Sequence, residues 1–260
     1  MRRSYFPVVI VLLILLPIVA IAQAPPGIYM NGIKSLKEFT GKFDGAWGGN
    51  NYFSPLIRGK PQTNVTISGM TTDGEQDTPP VVNKKRVVVD AGHGGNDPGS
   101  PGASMKDEKW YTLSMAQKVY ALLQDSEWIL PIMTRLEDEY ISTQDRAITA
   151  NTIEADLFIS IHANSYKNAK VRGTETYYYN DNSLPFAELM HEQILSATGF
   201  PDRKVKKMDY VVIKDTEMTS VLLEIGYLSH PKEEAAMLEE SMMNRVAAAI
   251  VKGIEQYLQS

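Results

Sequence analysis

The chain has 260 residues, 43% of them hydrophobic and 22% charged, the balance of one sizeable globular domain with extensions or of two small ones. That composition excludes wholesale disorder, a collagen-like chain and a multi-span membrane protein. With no cysteine at all, a disulfide framework, a thiolate metal site and a cysteine nucleophile are excluded too, so any metal site must be built from His, Asp and Glu. The net charge is −5, and residues 86–260 alone carry 17 basic and 26 acidic side chains, which leaves no electrostatic case for nucleic acid as a partner.

Met1-Arg2-Arg3 precedes an apolar run from about Tyr5 to Ala22. A short basic start, a long apolar stretch and the small-x-small triplet Ala20-Ile21-Ala22 predict a secretory signal over residues 1–22, cleaved before Gln23. The competing reading is an uncleaved anchor, because the run approaches the ~20 residues of a spanning helix; Pro7 and Pro17 argue for cleavage. Both readings export the body, to the periplasm or cell envelope in preference to the medium. Residues 23–85 are rich in Gly, Asn, Pro and Thr and predict a linker or a small N-terminal segment.

The texture changes at Arg86, where a body over 86–260 begins. Arg86–Val89 is an apolar strand ending at Asp90-Ala91-Gly92-His93. Lys109–Leu123 carries a helical stripe through Leu113, Ala116, Val119, Tyr120 and Leu123. Trp128–Thr134 predicts a strand that Pro131 pushes toward a sheet edge. Ser142-x-x-Asp145 opens a helix. Leu157–Ile161 is an unbroken apolar strand, a pattern that needs cover on both faces. Gly173–Tyr179 alternates as a strand. Leu184–Thr198 is a helix opened by Ser183 and Pro185 and closed by Gly199. Tyr210–Ile213 and Val221–Leu223 predict two further strands, and Pro231–Leu258 a helical tail. Alternating strands and helices predict an α/β fold: one twisted sheet with helices on both faces.

Sites in such sheets gather at the carboxyl ends of strands. His93, His162 and Glu224 stand at or near three of those ends, and Glu108 at the head of the first helix. Two histidines with one carboxylate are the ligand set of a catalytic zinc site with an open position, and a second carboxylate nearby is a general base. Glu224 lies in the apolar setting Leu222-Leu223-Glu224-Ile225-Gly226, where a buried carboxylate costs several kcal/mol unless a cation or proton offsets it, which makes it the most telling single residue. The other histidines read as structural: His230 as an N-cap before Pro231, His191 as a residue on a solvated helix face. Gly92-His93-Gly94-Gly95 lacks the third glycine of a dinucleotide fingerprint, no P-loop lysine follows, and no Gly-x-Ser-x-Gly elbow supports a serine hydrolase.

Five blocks then occur in order: Val88-Val89-Asp90-Ala91-Gly92-His93-Gly94-Gly95-Asn96-Asp97-Pro98-Gly99, Glu108-Lys109, Ser160-Ile161-His162-Ala163-Asn164, Gly173-Thr174-Glu175-Thr176-Tyr177-Tyr178, and Leu222-Leu223-Glu224-Ile225-Gly226-Tyr227-Leu228-Ser229. Together they resemble the zinc-dependent N-acetylmuramoyl-L-alanine amidases of the amidase-3 type. The resemblance covers nearly all of residues 86–258. It implies a mainly parallel, six-stranded sheet, a single Zn2+ held by His93, Glu108 and His162, Glu224 as the catalytic carboxylate, and peptidoglycan as the substrate of a monomeric enzyme that cuts between N-acetylmuramic acid and L-alanine. The family's Arg146 and Asn151 are present and read as structural. His230 replaces the family's usual Asn as a cap. Only 62 positions separate His162 from Glu224, which leaves no room for the long inserted helix that occludes some members, and so predicts an open groove unless residues 23–85 cover it. Two other readings are a zinc peptidase acting on stem peptides and an inactive wall-binding or activator protein.

Overall fold

A computed structural model describes residues 84–260; the predicted leader over 1–22 and nearly all of the 23–85 segment lie outside the described residues. Six strands, β1 (Lys85–Ala91), β2 (Ile129–Met133), β3 (Leu157–Asn164), β4 (Thr174–Tyr178), β5 (Asp202–Lys207) and β6 (Thr219–Tyr227), form one sheet in the order β2-β1-β3-β6-β4-β5. All pairings are parallel except β4 against β6. Pro131 lies on β2, an edge strand, where the missing N–H costs no ladder bond. The helices are α1 (Glu108–Gln124), α2 (Thr143–Thr152), α3 (Leu184–Thr198), the single turn α4 (Val211–Lys214), α5 (Pro231–Met237) and α6 (Glu240–Leu258).

Each central strand divides its side chains between two cores, because successive residues point to opposite faces. Val87, Val89, Ile159, Ile161, Val221 and Leu223 pack against α1, α3 and α6 on one face. Val88, Phe158 and Leu222 pack with Ala150 of α2 and Val212 and Ile213 of α4 on the other. That double cover explains the unbroken apolar runs. Burying a residue such as Phe158 or Ile159 completely contributes about 1.5–3 kcal/mol each.

The helix ends follow the local signals in most places. The Ser142 hydroxyl accepts the Asp145 N–H at 3.1 Å and opens α2. Gly199, at φ 66°, closes α3 in the left-handed conformation that L side chains resist. His230 Nδ1 accepts the Glu233 N–H at 3.2 Å, the cap expected of it.

Three readings need correction. Tyr210–Ile213 is not a strand: Val211–Lys214 form one helical turn, and the fifth strand is Asp202–Lys207. The tail is two helices, with a break around Leu238 and Glu239. His191 is not solvated: it is buried, with Nδ1 3.0 Å from Thr176 Oγ1 and Nε2 2.9 Å from Asp202 Oδ1, and so ties α3 to β4 and β5.

Candidate metal centre

β1, β3 and β6 run in one direction, so their carboxyl ends share an edge of the sheet. β1 delivers its chain to His93, β3 carries His162, and Glu108 is the first residue of α1. One ligand atom from each of His93, Glu108 and His162 can be chosen so that all lie within 4.8 Å of one another. Glu108 stands between the two rings, with Oε2 3.2 Å from His93 Nε2 and Oε1 3.1 Å from His162 Nδ1. Its oxygens also accept the Ser100 N–H at 3.0 Å and the Ala163 N–H at 3.0 Å, which fixes the carboxylate plane. The imidazoles meet edge to face, with centroids 4.8 Å apart.

Glycine makes this convergence possible. A Cβ on Gly92 would collide with the His162 ring, and one on Gly99 would stand 2.7 Å from both His93 Cδ2 and Glu108 Cβ. His93 itself adopts φ 61°, uncommon for a residue with a side chain. Two buried arginines hold that loop. Arg146 donates to the carbonyls of Ala91 and His93 (2.7 Å to the latter) and pairs with the fully buried Asp90 at 2.7 Å. Arg135 donates to the carbonyls of Ala91 (3.0 Å) and Gly92 (2.9 Å). Burial would raise the Asp90 carboxyl, but Arg146, Ser160 and Thr134 outweigh it and hold it below the usual range. Asn151, by contrast, bonds the backbone of Asp215 and Glu217 and serves the α2–α4 join.

Burial opposes charge on His93, yet Glu108 and Asp97 raise its pKa, and the two imidazoles hold Glu108 well below the carboxylate range against its own burial. Two imidazole nitrogens around one enclosed carboxylate are a donor set suited to a divalent cation.

Glu224 lies beside the trio. It is the register partner of His162 across β3–β6 and of Glu175 across β4–β6, so all three project from the same face. The residue is partly exposed, but Oε2 is enclosed and has no hydrogen-bond partner among the described residues. Burial first, then the negative charges of Glu108 and Glu175, push its carboxyl well above the ordinary range. A cation between the imidazoles would offset those charges, and a water there would give Oε2 its missing partner; the donor set and the orphaned oxygen both fit a metal.

Three participants were not assigned roles from the sequence. Asp97 Oδ2 lies 2.9 Å from His93 Nδ1 and orients the ring, a pairing that the i, i+4 spacing after a candidate ligand could have suggested. Glu175, buried on β4, takes hydrogen bonds from Tyr227 (2.9 Å), Tyr177 and Arg203, with Lys206 Nζ 3.1 Å away. Burial would raise it; these donors hold it at about 2. A glutamate in the middle of a strand of Thr and Tyr was the available signal. Arg135 gave no sign, since most of its partners, the Ala91, Gly92 and Lys109 carbonyls and the Thr112 hydroxyl, lie more than 20 residues away.

Between His162 and Glu224 the one helix longer than a single turn among the described residues is α3, which packs beside α6 on the face opposite α2. No inserted helix occupies that interval.

The model of a protein family described as N-acetylmuramoyl-L-alanine amidase matches residues 87–256. The chain belongs to that family. As a member it is a cell wall amidase with the α/β sheet of solved amidases. The catalytic domain of CwlV, an N-acetylmuramoyl-L-alanine amidase from Bacillus (Paenibacillus) polymyxa var. colistinus, is 43% identical with a TM-score of 0.66, over 67% of this chain and 98% of that one. The CwlD amidase from Clostridioides difficile, solved in complex with the GerS lipoprotein, is 30% identical with a TM-score of 0.64, over 68% and 99%. A relative described as a probable cell wall amidase LytH, from Staphylococcus saprophyticus, is 32% identical over 220 residues, 84% of this amidase and 72% of the relative.

Proposed function

We propose that this amidase is an exported, zinc-dependent hydrolase that cuts the amide between N-acetylmuramic acid and the L-alanine of the peptidoglycan stem peptide, with Glu224 as its general base. The observation that carries the proposal is the convergence of His93, Glu108 and His162 within 4.8 Å, next to a carboxylate whose enclosed oxygen has no partner. Residues 1–22 act as the leader, 23–85 as the N-terminal segment, and 86–260 as the catalytic body. The family match beginning at residue 87 supports that last boundary, and relatives described as cell wall amidases support action at the envelope.

His93, Glu108 and His162 would hold the ion. Zinc, when bound, supplies Lewis acidity, which makes a water nucleophilic near neutral pH and polarises the amide carbonyl. Glu224 takes the proton from the attacking water and returns it to the departing amine of alanine; a cation held by the trio would offset the negative charges that raise its carboxyl, and so favour the ionised form that a base needs. Asp97 and the arginine-bound loop keep His93 oriented while substrate comes and goes.

Mass spectrometry of digested sacculi tests the reaction. Release of intact stem peptides, suppressed by a chelator, is the expected result. Shortened peptides would make the enzyme a peptidase instead.

A further inference from the structure

Strand β5 has a charge that the rest of the body does not. Residues 86–260 carry a net −9, yet Asp202–Lys207 contains four of their 17 cations: Arg203, Lys204, Lys206 and Lys207. Lysines on an edge strand commonly guard against pairing with another sheet. Lys204 and Lys207 fit that role, exposed and paired with Asp202 and Asp181. Arg203 and Lys206 differ. Both turn inward to the single carboxylate of Glu175, at 2.5 and 3.1 Å, while keeping 37% and 39% of their side chains open to solvent. No other carboxylate among the described residues pairs with either head group, so one positive charge is left over.

The position of that charge is telling. Lys206 is in register with Tyr177 on β4 and Tyr177 with Leu222 on β6, while Glu175 is in register with Glu224. Strands stand about 4.8 Å apart, which puts the cations within roughly 10 Å of Glu224, two strands along the same face. Tyr177 lies between them, with Lys206 Nζ 5.8 Å from its ring centre and the partly exposed Tyr210 against it at 5.2 Å. An extended peptide advances about 3.3 Å per residue, so a leaving group whose amine departs at Glu224 brings its second or third residue level with β5.

We propose that Arg203 and Lys206, ordered by Glu175, form a subsite for a carboxylate on the peptide leaving group, making this enzyme selective for acidic peptides two residues or so beyond the scissile bond. The inference rests on the amidase reading above. Arg203 offers a planar fork and Lys206 a point charge, a combination suited to one carboxylate, and Tyr177 with Tyr210 forms the wall along which the peptide backbone runs.

Two synthetic N-acetylmuramoyl tripeptides test it, identical except that the second residue carries a free carboxylate in one and the carboxamide in the other. Purified full-length protein should favour the carboxylate roughly ten- to a hundredfold in kcat/KM, the size expected for losing a charge-assisted hydrogen bond, with the difference mainly in KM. Arg203→Gln with Lys206→Gln should collapse that preference. If the double variant melts earlier than the wild type, Lys206→Gln alone carries the test and should cut the preference at least threefold. Equal rates on both compounds, or a preference that survives the substitutions, overturns the subsite alone. Hydrolysis of neither compound by the wild-type protein overturns the amidase reading and the subsite with it.

Discussion

Replacing Arg146 by Met should cost about 3–5 kcal/mol of folding stability, the penalty for leaving one partner of a buried ion pair uncompensated. Asp90 is fully buried and would keep only the hydroxyls of Ser160 (2.6 Å) and Thr134 (2.7 Å), while the carbonyls of Ala91 and His93 would lose their shared donor. For a folded body of this size each kcal/mol moves the melting temperature by ~2–4 °C, so a drop of about 10 °C is expected. The pH dependence carries the sign. In the wild type the Asp90 carboxyl is lowered relative to its unfolded value of ~3.9, so the pair's contribution is present above that pH and is lost as pH falls through the lower, folded value. Without Arg146, burial dominates and the folded pKa rises above the unfolded one. The variant's deficit is then largest at neutral pH and shrinks on acidification. Urea unfolding at pH 7 and pH 5, followed by far-UV circular dichroism, measures both. Adding Asp90→Asn to Arg146→Met should recover part of the loss. A deficit under ~1 kcal/mol, or one independent of pH, would refute the role given to this pair.

Other consequences follow from the geometry around the trio. Gly92→Ala places a methyl group in the His162 ring and should abolish zinc binding in calorimetric titration while the far-UV spectrum stays close to wild type. Asp97→Asn weakens the brace on His93 Nδ1 and should reduce zinc affinity by roughly ten- to a hundredfold, as loss of an outer-shell carboxylate does elsewhere, again read by titration with the metal alone.

Much of the central sheet was legible because its strands are covered on both sides. Val87–Val89 and Leu157–Ile161 had to be apolar without alternation, and chemistry-bearing residues right after such runs stand at strand ends. That reasoning reached His93, and helix-end logic reached Glu108; His162 and Glu224 were expected just past their strands but lie within β3 and β6, which run on to Asn164 and Tyr227. β5 escaped for the opposite reason: Asp-Arg-Lys-Val-Lys-Lys, at a sheet edge with one neighbour, carries no apolar period. β-Branched Val211-Val212-Ile213 favours a strand by intrinsic propensity, but Val212 and Ile213 bury as one helical turn against Phe158 and Leu222, and tertiary packing overrides a preference worth about 1 kcal/mol at most. Apart from Tyr177, two residues from Glu175, the environments of His191 and Glu175 depend on partners 11 to 52 residues away, Asp202, Arg203 and Tyr227 among them, and such pairings leave no local pattern.

The most direct test of the account pairs metal content with turnover in two glutamine variants. Glu224→Gln should retain one zinc per chain and release no stem peptide from sacculi, whereas Glu108→Gln should lose both the metal and the activity. Wild-type turnover by Glu224→Gln, or a wild-type protein that cleaves sacculi without stoichiometric zinc, would contradict it.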